Sequence, residues 1–323
     1  MSSSQRIVAP KSTVGRLFRE SFTFGHKELT HWFPSHMARG MKKMQAMLRK
    51  VDCVIEVHDA RIPFTGRNMM FRNLLGIKPH LLVLNKMDLM DSSKKTEIRN
   101  RLSEGGTENI LFANCNKQES KTIRNVVKAV VDIVNQSERY HRAEADDYNL
   151  MVVGIPNVGK SSVINAMRRM HLRKGKGTRV GGLPGITRGV MDNIQVSNRP
   201  KIFLVDTPGI MTPYIPGVDD GMKLALCGTL QDHKVGQEII ADYLLFWLNK
   251  NSRFEYVDVF GLDQPSDDII FVLTHLAKTL GKMQRVRALD GTRTIQPNHD
   301  AAASHMLRCF RTGQLGKFVL DLQ

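Results

Sequence analysis

Eight residues in the middle of the chain have the composition and spacing of a phosphate-binding loop. Residues 154–161 read Gly-Ile-Pro-Asn-Val-Gly-Lys-Ser and fit the pattern G-x-x-x-x-G-K-[ST]. In such a loop backbone N–H groups turn toward phosphates, Lys160 supplies charge, and the Ser161 hydroxyl offers a ligand to Mg²⁺. The alternative is a glycine turn that binds nothing. The flanks favour the first interpretation, because a strand is predicted over residues 148–153 and a helix over residues 162–170.

A second motif upstream of this loop is suited to reading a purine base. Asn85, Lys86 and Asp88 follow an apolar run, residues 81–84, that predicts a buried strand. A carboxylate at Asp88 can accept hydrogen bonds from the ring N–H and the exocyclic amine of guanine, a pair of donors that adenine lacks. Four residues alone are a weak signal. Together with the phosphate loop, they predict a guanine nucleotide.

Two further motifs lie downstream and are placed to sense the last phosphate. Thr187, in a glycine-rich stretch, could bring a hydroxyl and a carbonyl to Mg²⁺ and the γ-phosphate. A strand predicted over residues 201–205 delivers Asp206, which would hold Mg²⁺ through water, and then Gly209, whose N–H would contact the γ-phosphate. These residues predict a nucleotide-dependent switch.

The remaining elements must bring these motifs to one edge of a sheet. Strands are predicted over residues 51–57 and 110–112, and a helix over residues 121–136. In open α/β sheets, ligands lie at the carboxyl ends of the strands. Asn114 and Cys115 follow the second of these strands, so we expect them to support the guanine base from a backbone loop.

Helical periodicity replaces strand patterns after about residue 226. Helices are predicted over residues 233–248, 268–280 and 300–311, with N-caps at Asp267 and Asn298. The predicted fold class is therefore α/β: a P-loop domain with a mostly parallel sheet and helices on both faces, plus a small C-terminal all-helical domain.

The length and the N-terminal composition set the broad class of the protein. A chain of 323 residues favours about two domains. Residues 1–30 are rich in Ser and basic side chains, carry two acids and lack an apolar secretory core, which is typical of a mitochondrial transit segment; the alternative is a disordered basic tail. The longest apolar runs are too short to span a bilayer. Four dispersed cysteines indicate neither a zinc cluster nor a disulfide framework.

The net charge of +16 is unevenly distributed. Residues 226–323 hold 11 Lys+Arg and 11 Asp+Glu, so the whole excess lies upstream. Such an excess favours a polyanionic partner, although it can also serve only solubility. RNA or DNA is preferred to a membrane, because no long basic amphipathic helix is present. The best candidates for contact are a basic helix predicted over residues 35–50 and the basic loop 168–188.

The order of the motifs is unusual for a GTPase. The guanine motif at residues 85–88 precedes the phosphate loop, whereas ordinary GTPases have the opposite order, so the sheet is predicted to be circularly permuted. In this order, and in two further segments, Trp-Phe-Pro-Ser-His-Met at residues 32–37 and Asp-Ala-Arg-Ile-Pro-Phe at residues 59–64, the chain resembles the circularly permuted ribosome-assembly GTPases of the YlqF type.

This resemblance implies a GTP-binding site and its metals. GTP would be the substrate, with Mg²⁺ as cofactor at Ser161, Thr187 and Asp206, and K⁺ as a further cation at Asn157. The catalytic residues would be Lys160, Thr187 and His36, the last in place of the water-orienting glutamine. The implied GTP-binding set is Asn85, Lys86, Asp88, Asn114, Cys115, Asn157, Val158, Gly159, Lys160, Ser161, Ser162, Thr187, Asp206 and Gly209.

The resemblance also implies partners, location and domain limits. It predicts a monomeric factor that hydrolyses GTP slowly until it meets the large subunit of the mitochondrial ribosome, binds its rRNA and so supports translation. The location would be the mitochondrial matrix. Peripheral association with the matrix face of the inner membrane is compatible with this location. The predicted units are a transit-like segment, residues 1–30, a GTPase domain, residues 31–225, and a helical RNA-binding domain, residues 226–323.

Three sequence features keep alternatives open: one departs from Ras-like enzymes, and two depart from the family pattern. Ile210 stands where Ras-like enzymes have a water-orienting glutamine, which favours an RNA-binding scaffold with a structural nucleotide. Ser35 replaces a family glycine, and the segment Ala-Asn-Cys at residues 113–115 lacks the usual loop serine. A small-molecule or nucleoside kinase is the other enzyme class, but the guanine motif argues against it.

Overall fold

The computed structural model describes residues 18–24, 47–67, 78–115, 121–139, 142–172, 194–206, 215–287 and 293–322, and for Lys121, Val205 and Asp206 only the backbone. Several predicted features lie outside these residues: His36 and most of the predicted helix 35–50, most of the loop 168–188, Thr187, Gly209 and Ile210.

Six strands form the main sheet: β1 (Cys53–Asp59), β2 (His80–Asn85), β3 (Ile110–Phe112), β4 (Asp147–Val153), β5 (Ile194–Asn198) and β6 (Lys201–Asp206). Their spatial order is β3-β2-β1-β4-β6-β5, and all neighbours are parallel except β5 and β6. The Val-, Ile- and Leu-rich strands β1 and β2 are almost wholly buried, as expected for a sheet covered on both faces. The predicted strands are confirmed, and β5, whose sequence is short and polar, was not predicted.

Helices cover both faces of this sheet: α1 (Lys95–Glu104), α2 (Lys121–Asn135) and α3 (Lys160–Leu172). Alternate residues of β2 show the division, since Leu81 and Val83 belong to the hydrophobic cluster that contains Ile123 of α2. Leu82 belongs to a second cluster with Ile98 of α1. Helix α1 was missed in the sequence because only two of its ten side chains, Ile98 and Leu102, are buried.

Six helices follow in the C-terminal part of the chain: α4 (Val218–Leu226), α5 (Asp232–Val235), α6 (Gln237–Lys250), α7 (Glu255–Phe260), α8 (Ile269–Thr279) and α9 (His299–Arg311). The mainly helical prediction is confirmed. One predicted helix is divided at Gly236, which has a φ of 98°. Within the described part of the chain, no helix is long and apolar enough to cross a membrane.

One of the two predicted helix caps is correct. Asn298 caps α9 through a hydrogen bond from the N–H of Ala301. The cap of α8 is Asp268, which accepts from the N–H groups of Ile270 and Phe271, so the prediction of Asp267 was wrong. The carboxylates of Asp267 and Asp268 both suit an N-cap. In the tertiary structure, however, Asp267 accepts hydrogen bonds from Arg19.

The expectation that strands stop after residue 226 was also wrong. Strands β7 (Met283–Arg287) and β8 (Arg293–Pro297) form an antiparallel hairpin. The hairpin was missed because nearly all of its side chains are exposed, and so its sequence lacks the alternation of a half-buried strand. The C-terminal part is therefore helical with one added hairpin.

The end of the chain returns to the sheet. Val319 and Leu322 share a hydrophobic cluster with Leu82. The Asp321 carboxylate accepts hydrogen bonds from the backbone N–H groups of Phe64 and Thr65, at 2.8 and 2.9 Å. The predicted limits at residues 30 and 225 stay predictions, but the tail joins the end of the described chain to the segment that follows β1.

Replacing Asp321 with Ala should lower the free energy of unfolding by about 3 kcal/mol, because two backbone donors lose their acceptor in a buried place. Chemical denaturation measures this change. Asp263→Ala, which removes an exposed carboxylate, is the control and should change stability by less than about 0.5 kcal/mol. Equal stability of the two variants would contradict the role given to the tail.

Candidate GTP-binding site

The phosphate loop lies between β4 and α3, as predicted. Gly154 has a φ of 146°, and a Cβ built on it would lie 2.1 Å from the carbonyl oxygen of Val57 in β1. A Cβ on Gly159, whose φ is 97°, would lie 2.3 Å from Nδ2 of Asn85. Both positions require glycine, because the loop passes too close to its neighbours for any side chain.

Lys160 is the first residue of α3 and is almost fully buried. Its ammonium donates hydrogen bonds to the carbonyl oxygens of Gly154 and Ile155, at 3.1 and 3.0 Å. Ser161 and Ser162 follow in the first turn of α3, where the positive end of the helix dipole favours an anion. The loop therefore has the parts of an anion-binding site.

Asn85 holds the guanine motif against two other loops. Its Nδ2 donates to the carbonyl oxygen of Val158, at 2.9 Å, and its Oδ1 accepts from the N–H of Cys115, at 3.2 Å. The N–H of Met87 also donates to the carbonyl oxygen of Ala113. The loop that contains Asn114 and Cys115 thus lies beside the guanine motif, although the sequence there departs from the family pattern.

Asp88 supplies the strongest indication of the base. Its Oδ1 is buried and has no hydrogen-bond partner within the described part of the chain. A buried acceptor without a donor is unfavourable, so a ligand with suitably placed N–H groups is expected there. The edge of guanine has such groups, and the residues therefore fit this base.

Lys86 is fixed by a buried ion pair that the sequence analysis did not include in the site. Its Nζ lies 2.9 Å from Oδ2 of Asp59, at the end of the neighbouring strand β1. Arg61 donates to both oxygens of the same carboxylate, at 3.0 and 2.8 Å. Burial opposes the charge of Asp59, but Arg61 and Lys86 outweigh it and hold the pKa of this carboxyl well below its usual range.

Known proteins with similar sequences are named as GTPases. The family model described as 50S ribosome-binding GTPase matches residues 149–285. A protein from Ictalurus punctatus, Mitochondrial ribosome-associated GTPase 1, is 54% identical over 307 residues, which cover 94% of this chain and 96% of that protein. The protein of the same name from Bos taurus is 52% identical over 320 residues, covering 97% and 96%. The chain belongs to the mitochondrial ribosome-associated GTPase 1 family. As a member of this GTPase family, it hydrolyses GTP to GDP and phosphate.

Solved structures show the same fold. The structure described as GNP-bound YlqF from T. maritima matches with a TM-score of 0.55 and 19% identity, covering 86% of this chain and 95% of that chain. The circularly permuted α/β fold is thereby confirmed, because the guanine motif at the end of β2 precedes the phosphate loop after β4 in the sequence.

The metal-binding residues predicted for the family are only partly described. Ser161 lies in the first turn of α3, and the backbone of Asp206 pairs with Val152 at the carboxyl end of β6, next to the phosphate loop. A hydroxyl and a carboxylate are ligands that Mg²⁺ accepts, so this placement fits the ion. Thr187, Gly209 and His36 lie outside the described residues.

Asn157 has an unexpected contact. Its Nδ2 donates to the carbonyl oxygen of Gly228, at 2.7 Å, just beyond the end of α4. Arg311, at the end of α9, donates to the carbonyl oxygens of Ala225 and Leu226 in the same place. The phosphate loop is therefore joined to the C-terminal helices through side chains that no sequence motif connects.

Two residues of the site, Asp59 and Arg61, were missed as site residues in the sequence. Both belong to the segment 59–64 that contributed to the resemblance, but no motif assigned them a contact. Only the parallel pairing of β1 with β2, which sets Asp59 beside Asn85, brings the carboxylate to Lys86. A rule that polar residues ending adjacent parallel strands share a site would have found them.

Replacing Asp88 with Asn should transfer specificity from guanine to xanthine nucleotides. An amide presents one acceptor and one donor, which match the N1–H and the C2 carbonyl of xanthine. We expect GTP affinity to fall about 100-fold or more while XTP binding becomes measurable, in titrations with fluorescent nucleotides. Asp91→Asn, three residues away at the N-cap of the short 3-10 helix Ser92–Lys94, is the control and should leave GTP affinity unchanged. A variant that still prefers GTP would contradict the assignment of Asp88.

Proposed function

We propose that the chain is an assembly factor for the large subunit of the mitochondrial ribosome, binding its rRNA in a manner that depends on the bound nucleotide. The guanine-reading site formed by Asn85, Asp88 and the phosphate loop carries this proposal, in a chain 52–54% identical to proteins named for the mitochondrial ribosome. The proposed location is the matrix, with peripheral contact to the inner membrane, and the proposed state is a monomer.

The proposed chemistry combines residues of the phosphate loop with residues from other segments of the chain. Lys160 would exchange its bonds to loop carbonyls for bonds to phosphate oxygens. Ser161, Thr187 and Asp206 would hold Mg²⁺, and Asn157 would hold K⁺; when bound, these cations neutralise charge on the phosphates. Ile210 cannot orient water, and His36 is the proposed substitute.

Coupling between nucleotide and RNA would pass through the contact of Asn157 with Gly228. This hydrogen bond and those of Arg311 join the phosphate loop, the end of α4 and the end of α9. Changes in the phosphate loop would therefore be transmitted to the C-terminal helices without a long linker. Ordering of the loop 168–188 by the γ-phosphate is the second proposed part of the switch.

Residues 226–323 carry equal numbers of acidic and basic side chains, but the exposed hairpin within them has a basic surface. Arg285, Arg287 and Arg293 lie on one face of the hairpin, because Arg287 pairs with Arg293 and Arg285 pairs with Ile295. All three are exposed and have no ion pair to any described acid. Guanidinium groups in this arrangement suit phosphate oxygens. We therefore add this face to the predicted RNA-binding surfaces.

The second candidate function is an RNA-binding scaffold whose nucleotide is rarely hydrolysed. Ile210 favours it, because the position lacks a group that orients water. GTP turnover with and without mitochondrial large subunits separates the two functions. Stimulation by the subunit supports the assembly GTPase, and its absence supports the scaffold.

The nucleotide dependence can be tested by co-sedimentation with mitochondrial large subunits. The wild-type protein should sediment with subunits in the presence of a non-hydrolysable GTP analogue and about 10-fold less with GDP. Lys160→Ala should remove this difference, because the phosphates lose their main cation. Lys234→Ala, an exposed lysine on α5, is the control. Identical sedimentation of the wild-type protein in both nucleotide states would contradict the switch.

The hairpin can be tested with two sets of variants that each lower the net charge by three. Arg285, Arg287 and Arg293 are changed to Gln in one, and Gln284, Thr294 and Gln296, on the opposite face, to Glu in the other. We expect the first set to reduce the slope of log affinity against log salt by about two, for rRNA from purified large subunits. Equal effects of both sets would show that only overall charge matters.

A further inference from the structure

A short N-terminal segment, residues 18–24, is bound to the C-terminal helices. The backbone N–H and Nε of Arg19 donate to Oδ2 of Asp267, at 2.9 and 3.1 Å. Its two terminal nitrogens donate to the carboxylate of Asp242 in α6, at 3.0 and 2.7 Å. One guanidinium thus pairs with two carboxylates that come from different elements. We call residues 18–24 the clasp.

Aromatic side chains of the clasp add packing to this ion pair. The ring of Phe22 lies 5.2 Å from that of Tyr243, edge to face, and 5.8 Å from that of Phe246. Phe18 lies 5.8 Å from Phe254. Phe22 and Phe24 also pack against the main hydrophobic cluster. Aromatic pairs at these distances add to the stabilisation that comes from covering apolar area.

The contacts of Arg19 explain why the clasp should stay bound to the C-terminal helices in the folded protein. Without it, Asp242 and Asp267 would lose the cation that they share, and the described partner left to Asp267 would be the Asn249 amide, at 3.3 Å. Partly buried carboxylates that lose their common cation are strongly unfavourable. The faces of Tyr243 and Phe246 that Phe22 covers would also be exposed.

This arrangement conflicts with removal of the whole transit-like segment, residues 1–30. We propose that the clasp remains in the mature protein, and that an import endopeptidase which hydrolyses a peptide bond of this segment, adding one water across it, does so before Phe18. The inference rests on the proposed mitochondrial location. It divides the predicted segment into a removable part, within residues 1–17, and a part that belongs to the folded protein.

The N-terminus of the protein isolated from mitochondria tests this proposal. The full chain with a C-terminal affinity tag is expressed in cells, recovered from purified mitochondria and analysed by mass spectrometry of its N-terminal peptide. The expected N-terminus lies at or before Phe18. An N-terminus beyond Phe18 overturns the proposal. Absence of the protein from mitochondria would instead overturn the proposed location, and the stability measurement below would then decide on the clasp alone.

Variants of the full chain test the ion pair independently of import. Arg19→Gln removes the cation, and Arg49→Gln, at an exposed arginine without a described ion pair, is the matched control. We expect Tm to fall by about 3 °C or more in the first and by less than about 1 °C in the second. We also expect chymotrypsin, whose sites at Phe22 and Phe24 are kept in both variants, to cut the first variant after these residues at least 5-fold faster. Equal Tm and equal cleavage rates in both variants would overturn the clasp.

Discussion

The close approach of the phosphate loop to its neighbouring strands is the constraint on which the site depends. Gly154 and Gly159 leave no room for side chains, so the loop touches the Val57 carbonyl on one side and Asn85 on the other. Asn85 then accepts from the N–H of Cys115 and donates to the carbonyl oxygen of Val158. Because the Asn85 side chain links three loops, the guanine motif and the phosphate loop are held at a set separation.

A buried group of charged side chains beside the guanine motif stabilises this arrangement. Asp59 is shared by Arg61 and Lys86, and the guanidinium of Arg61 lies over the ring of Phe310 at 5.2 Å. Buried charges are unfavourable unless they are paired, and breaking such a group usually costs about 3–5 kcal/mol. The group therefore orients Lys86 and, through Phe310, places α9 against the carboxyl end of β1.

The C-terminal part of the chain therefore contacts the phosphate loop, in addition to forming a separate surface of the protein. Arg311 binds the end of α4, where Asn157 also contacts Gly228. The tail returns to the sheet through Asp321, and the clasp joins the beginning of the described chain to α6. The permuted order contributes to this closeness, since β6, the last strand of the main sheet in the sequence, is followed in the chain by α4.

The sequence by itself determined the strands β1, β2, β3, β4 and β6, the phosphate loop and the guanine motif, because each is specified by local spacing and by apolar runs that must be buried. It also specified the permuted order. Tertiary structure decided what depends on distant residues: the shared role of Asp59, the docking of Arg19, and the use of Asp268 as the cap of α8. A hairpin without a buried face was likewise invisible in the sequence, because hydrophobic periodicity arises only where a core must be covered.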